Sequence, residues 1–167
     1  MARDAEYVAF VEANWERYLR LARLLSGDRH RGEELLQDCL VRLYVRWAGA
    51  AVKGDPHPYL RRILVNANIS WWRGRRREYL VETPPDQTQP ETTGDEYRED
   101  LRRALLQLPA RQRAVVVLRY YEDLTERETA AAMGCTVGTV KSQNARALRR
   151  LRELLDAHEP PRKVFLR

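Results

Sequence analysis

The chain has 167 residues, 32% of them charged, with a net charge of +6 and a pI near 9.6. That length suits one ordinary domain or two small ones, and the basic balance suits a polyanionic partner. No apolar run is long enough to cross a bilayer, the polar start from Met1 to Glu6 is unlike a signal peptide, and two cysteines make no disulfide framework, so a cytoplasmic protein without membrane insertion is expected.

In chain order, the first helix is expected from about Asp4 to Ser26. Val8, Val11, Trp15, Tyr18, Leu19, Ala22 and Leu25 form its apolar stripe, and Gly27 stops it. Asp28 can cap a second helix running to about Trp47, with Leu36, Cys39, Leu40, Leu43 and Trp47 inside. Its other face carries Glu34, Gln37, Asp38, Val41, Arg42 and Val45. Valines on an otherwise polar face point to a protein partner or to a neighbouring helix. Residues 48–58 read as a loop stiffened by Asp55-Pro56-His57-Pro58. A helix then starts near Pro58, with Leu60, Ile63, Leu64, Ala67 and Trp71 toward a core.

The opposite face of that helix carries Arg62, Asn66, Ser70, Arg73 and Arg77, with Arg76 beside them. From Pro56 to Arg77 there is no acid. Arginine supplies phosphate contacts, and an exposed Trp can stack on an unpaired base. Trp71 is expected in the core and Trp72, one step round, outside. Residues 82–95 are rich in Pro, Thr and acid and read as a flexible linker.

The second half begins near Glu96 with Tyr97, Leu101, Ala104, Leu105 and Leu108. Pro109 opens a helix carrying Val115, Val116, Leu118, Tyr120 and Tyr121. Next comes a helix, tight turn and helix from Thr125 to Leu155. Thr125 and Glu128 make a capping box. Ala130 allows close helix approach, Gly134 supplies the left-handed residue that ends the first helix, and Thr136 caps the second. Val140 points into the angle between them. Lys141, Ser142, Asn144, Arg146 and Arg149 lie along the second helix, the residue types that reach phosphates and base edges in a major groove. Leu148, Leu151, Leu154 and Leu155 carry that helix onward. From Thr129 to Arg152 there is again no acid. Residues 157–167 read as a disordered tail.

With no strand signal or repeat, the fold class is all-α. Two small helical domains are joined by a flexible acidic linker, and the second contains a helix-turn-helix. The divisions fall at 1–81, 82–95, 96–156 and 157–167. Cys39 and Cys135 fall at apolar helix positions and read as small buried hydrophobes. His30, His57 and His158 lack metal-ligand spacing, so no metal or other cofactor is expected.

Two basic helical domains on an acidic linker describe a clamp touching DNA at two places. This arrangement resembles the extracytoplasmic-function subfamily of bacterial RNA polymerase sigma factors. The resemblance rests on Gly32-Glu33-Glu34-Leu35-Leu36-Gln37-Asp38-Cys39-Leu40, Tyr59-Leu60-Arg61-Arg62-Ile63-Leu64-Val65-Asn66, Leu108-Pro109-Ala110-Arg111-Gln112-Arg113 and Val137-Gly138-Thr139-Val140-Lys141-Ser142, in that order. It implies a promoter-specificity subunit, not itself an enzyme, that is a monomer when free. Its partners would be the polymerase core, promoter DNA and, as is common in the family, an anti-sigma protein.

Glu34, Gln37, Asp38 and Val41 would meet the core enzyme. Arg62, Asn66, Ser70, Trp72, Arg73, Arg76 and Arg77 would meet the downstream promoter element, with Asn66 at the pocket for a base flipped from the non-template strand. Thr139, Lys141, Ser142, Asn144, Ala145, Arg146 and Arg149 would meet the upstream element. The family often has Asp where Ser70 stands and Arg where Gln143 stands; both changes fall on presumed DNA faces.

Two other classes fit parts of the pattern. A self-sufficient operator-binding regulator would be a dimer with half-sites about one helical turn apart, but the chain shows no heptad seam or ligand-sensing domain. A nuclease would need clustered carboxylates for metal ions, and the two basic stretches contain none.

Overall fold

The computed structural model describes residues 1–52, 54–78 and 96–157. The expected linker and residues 158–167 lie outside them. Every regular element among the described residues is helical: α1 Ala2–Ser26, α2 Arg29–Val45, α3 Trp47–Val52, α4 His57–Glu78, α5 Glu96–Leu106, α6 Ala110–Val116, a π-helical turn Val117–Tyr121, α7 Glu126–Met133 and α8 Val137–Asp156.

Local chemistry sets several of these boundaries. Gly27 ends α1 at φ 80°, and the Asp28 carboxylate accepts from Arg31 N to start α2. α1 and α2 pack closely because Gly32 has no side chain; a Cβ there would sit 2.9 Å from the Arg23 backbone nitrogen. Leu21, Leu25, Leu36, Leu43, Leu60 and Leu64 are fully buried between α1, α2 and α4. Each such side chain is worth about 1.5–3 kcal/mol of apolar burial. Tyr18 Oη lies 2.6 Å from His57 Nδ1, which ties α1 to the start of α4.

The two halves share this core. Ala114, Val115, Val117, Leu118, Leu124, Ala130, Met133 and Val140 belong to the same apolar cluster as the leucines of α1, α2 and α4. α4 lies against α7. A smaller cluster of Ala104, Leu105, Leu108, Val116, Ala147, Leu151 and Leu154 joins α5, α6 and the far end of α8.

Several expectations are corrected. Part of the 48–58 loop is helical, as α3. Val8 is exposed, one step round α1 from Tyr7, whose ring packs against Tyr44 and Trp47. The helix after Pro109 changes pitch at Val117, where Glu122 N donates to Val117 O at 3.0 Å, and this turns Tyr120 and Tyr121 outward. Leu148 is also exposed, one turn from buried Leu151. Cys39 is buried on α2 as expected, but Cys135 is half-buried in the turn between α7 and α8.

Candidate nucleic-acid interface

The α7–α8 unit is built from local signals. Thr125 Oγ1 accepts from Glu128 N at 3.2 Å, and Thr125 N donates to the Glu128 carboxylate at 2.7 Å. The bond from the Thr125 backbone holds the Glu128 carboxyl below its ordinary range. Gly134 turns the chain at φ 64°, and Thr136 Oγ1 accepts from Thr139 N at 3.1 Å to start α8. Val140 is fully buried in the angle between the two helices, beside buried Ala130.

One face of α8 is thereby left free. Gly138, Lys141, Ser142, Ala145, Arg146 and Arg149 are exposed at three- and four-residue steps, a stripe the width of a groove-reading surface. Ser142 Oγ donates to Thr139 O at 3.1 Å, and Lys141 Nζ stands 3.9 Å from Glu126. An exposed pair at that distance is worth little and leaves the lysine available to phosphate. Thr139 is half-buried with its hydroxyl 3.0 Å from that of Thr136, so it serves the start of the helix more than the stripe. Asn144 departs from expectation. It is half-buried and donates to Tyr120 Oη at 3.0 Å, which fastens α8 to the π-helical turn and points the amide away from the exposed face.

The second face lies on α4. Arg62, Asn66, Ser70, Arg73 and Arg76 are exposed, opposite buried Leu60, Leu64 and Val65. The Arg77 side chain lies outside the described residues. Asn66 is free of the core, whereas Asn68, two residues on, is buried and donates to Leu25 O at 3.0 Å.

The tryptophan expectation is corrected. Both rings are half-buried and meet edge to face, with centroids 4.9 Å apart. Trp71 lies under two guanidiniums, Arg31 at 4.6 Å and Arg75 at 5.0 Å. Trp72 faces the C-terminal half, with Arg113 4.9 Å above its ring and its Nε1 buried without a hydrogen-bond partner. One step round α4 leads toward α6, not toward solvent.

Sequence reasoning also missed Arg113. It is 2% exposed and donates to four carbonyls: Leu105 at 3.0 Å, Leu25 at 2.8 Å, Leu108 at 3.1 Å and Leu106 at 3.5 Å. Burial pushes its guanidinium down to about 10. The available signal was its place one turn before buried Val116 and Val117.

A third, different surface lies on α2. Glu34, Gln37 and Asp38 are exposed, with Val41 at 65% and Val45 at 67% exposure. Among the described residues no helix covers the two valines, which leaves a small apolar ridge among acids and amides. Among the described residues there is no group of His, Cys, Asp and Glu that could hold a metal ion, and no helix is long and apolar enough to cross a membrane.

Residues 10–78 match the family model of sigma-70 region 2, and residues 98–151 that of sigma-70 region 4. The chain is 42% identical over 159 residues to the RNA polymerase sigma-E factor of Streptomyces avermitilis, covering 92% of this chain and 87% of the relative. It is 37% identical over 144 residues to the ECF RNA polymerase sigma factor SigM of Mycobacterium tuberculosis, covering 81% and 70% respectively. Among solved structures it is similar to the sigma factor RpoE of Bartonella quintana in complex with the anti-sigma factor NepR. That similarity has a TM-score of 0.76 at 27% identity and covers 92% of this chain and 99% of the other. Region 2 on α1–α4, region 4 on α5–α8 and relatives matched over most of both chains place the protein in the extracytoplasmic-function subfamily of RNA polymerase sigma factors.

Proposed function

We propose that this sigma factor docks on core polymerase through the exposed ridge of α2 and presents two separate helices to one promoter. Glu34, Gln37, Asp38 and Val41 contact the polymerase. The exposed stripe of α8, with Lys141, Ser142, Ala145, Arg146 and Arg149, reads the upstream element as duplex. The exposed stripe of α4, with Arg62, Asn66, Ser70, Arg73 and Arg76, engages the downstream element together with Arg77 and holds its melted non-template strand. The chemistry of RNA synthesis belongs to the polymerase. The sigma factor supplies affinity and position. An anti-sigma protein, the partner with which the similar RpoE was solved, is the regulator this reading adds.

The observation that carries the reading is the pair of acid-free, exposed polar stripes on two helices of different halves. The arginines and lysine neutralise phosphates, which gives most of the affinity and its salt dependence. Asn66 supplies a donor and an acceptor together, suited to the edge of a base taken out of the stack. The flip costs a few kcal/mol of lost pairing and stacking, which amide hydrogen bonds offset in part.

Asn66→Ala separates the two roles. The variant holds duplex upstream-element DNA and polymerase as the parent does, because Asn66 is exposed and outside the core. Open-complex formation falls about tenfold, the effect of losing one good base contact of about 1–3 kcal/mol. Permanganate reactivity of start-site thymines measures it. Unchanged reactivity removes Asn66 from the strand pocket.

A further inference from the structure

The turn that carries Tyr120 departs from regular α-helical pitch, and π-helical turns are frequent at functional sites. It puts an aromatic residue on the surface, with Tyr120 55% exposed. The ring is nevertheless held twice. The Arg119 guanidinium lies 5.8 Å from its centroid, and Asn144 Nδ2 donates to the phenol oxygen at 3.0 Å. Asn144 is half-buried on α8, and its Oδ1 is buried without a hydrogen-bond partner. The amide is thus committed to holding one exposed hydroxyl.

That hydroxyl stands beside the reading face of α8. On a regular helix Asn144 lies about 60° round from Lys141 and about 40° from Leu148, at the edge of the exposed stripe. Glu126 comes to Lys141 at 3.9 Å, so the chain from Tyr120 to Glu126 borders that edge. A helix with its side chains is about 10–12 Å across, and a major groove is about 12 Å wide. When the stripe meets base edges, its flanks therefore meet the phosphate walls. Tyrosine hydroxyls are among the usual donors to phosphate oxygens. The Tyr120 oxygen accepts from Asn144 and keeps its own proton free to donate.

We propose that Tyr120 is a further promoter contact: its hydroxyl donates to a backbone phosphate flanking the upstream element, and Asn144 is the residue that positions it. The inference rests on the reading of α8 as the upstream-element helix. A hydroxyl already held before DNA arrives lowers the cost of ordering the tyrosine on binding. The contact carries no base information. It fixes the register of α8 in the groove, on which readout by Lys141, Ser142 and Arg146 depends.

The test titrates holoenzyme, reconstituted from the full chain and core polymerase, with a duplex carrying the upstream element found in its run-off transcripts. Tyr120→Phe removes one oxygen, keeps the helix content of the parent by circular dichroism, and weakens binding about tenfold, the scale of one hydrogen bond to a charged acceptor. The salt dependence keeps its slope, because a phenol displaces no counterion, whereas Arg146→Ala lowers the slope by about one. Asn144→Leu, close in volume, weakens binding in the same direction. Tyr120→Phe/Asn144→Leu is no weaker than Tyr120→Phe alone, since the amide acts through the hydroxyl.

Methylphosphonate substitution reads the contact itself. Neutralising the phosphates of the duplex one at a time weakens the parent at several positions, and at one of them Tyr120→Phe no longer responds. A Tyr120–Asn144 bond that only braces the fold shifts the melting temperature and leaves the pattern of sensitive phosphates unchanged, which overturns the proposal. Parent-like affinity in Tyr120→Phe overturns it as well. A parent holoenzyme that gives no transcripts or does not retain the duplex contradicts the promoter reading and removes this contact with it. A parent that binds while Tyr120→Phe equals it contradicts the contact alone.

Discussion

Asp38→Arg weakens binding to core polymerase by at least about a hundredfold, the equivalent of about 3 kcal/mol at a central interface position. Asp38 stands on the exposed face of α2, between Glu34 one turn before it and Val41 about one turn after, with buried Leu36 and Cys39 on the other side. Reversing its charge therefore leaves the helix and the core beneath it in place. The effect falls on the partner, because a like charge set against a complementary surface costs several kcal/mol. Val41→Asp acts in the same direction by desolvating a charge on the apolar ridge. Titration of labelled core polymerase measures both variants. Parent-like affinity in Asp38→Arg removes α2 from the polymerase interface, provided the variant melts with the parent.

Arg113→Ala destabilises the protein by about 4 kcal/mol, since it strips donors from buried carbonyls at about 1–3 kcal/mol for each one left unpaired. Leu105, Leu106 and Leu108 lose the side chain that shapes the α5–α6 turn, while Leu25 keeps its bond from Asn68. The indole of Trp72 loses the cation above it as well. Arg113→Lys recovers less than half of the loss. An ammonium keeps the charge but cannot reproduce a planar fork reaching four acceptors. Denaturant unfolding followed by circular dichroism gives both values. A loss below about 1 kcal/mol in Arg113→Ala would show that water replaces the guanidinium at little cost.

The residues that were legible in the sequence act over short range. The Thr125–Glu128 box, Gly134 and Thr136 each fix backbone within a few residues, and the α7–α8 unit follows from them. The polar stripe of α4 was legible for the same reason, as a helix shows its two faces in its own periodicity. Hidden features depend on what a helix meets. Periodicity put Trp72 one step outside the core but could not say that α6 of the other half occupies that step. The hydrogen bonds that bury Asn68 and Arg113 gave no signal in the sequence, because their acceptors are carbonyls of Leu25 and of the α5–α6 turn, distant in sequence or set by a turn. Asn144 looked like a base reader until the change of pitch at Val117 brought Tyr120 to it. The ridge of Val41 and Val45 was legible as an anomaly, and no helix among the described residues covers it.

The central claim is that this chain confers promoter specificity on core polymerase. Run-off transcription tests it most directly, with purified bacterial core polymerase and a pool of promoters from the protein's own genome, with and without the protein. The account predicts discrete transcripts only when the protein is present, and their aligned upstream sequences define both promoter elements. No transcripts together with no co-elution with core polymerase would contradict it and favour a regulator that binds an operator alone.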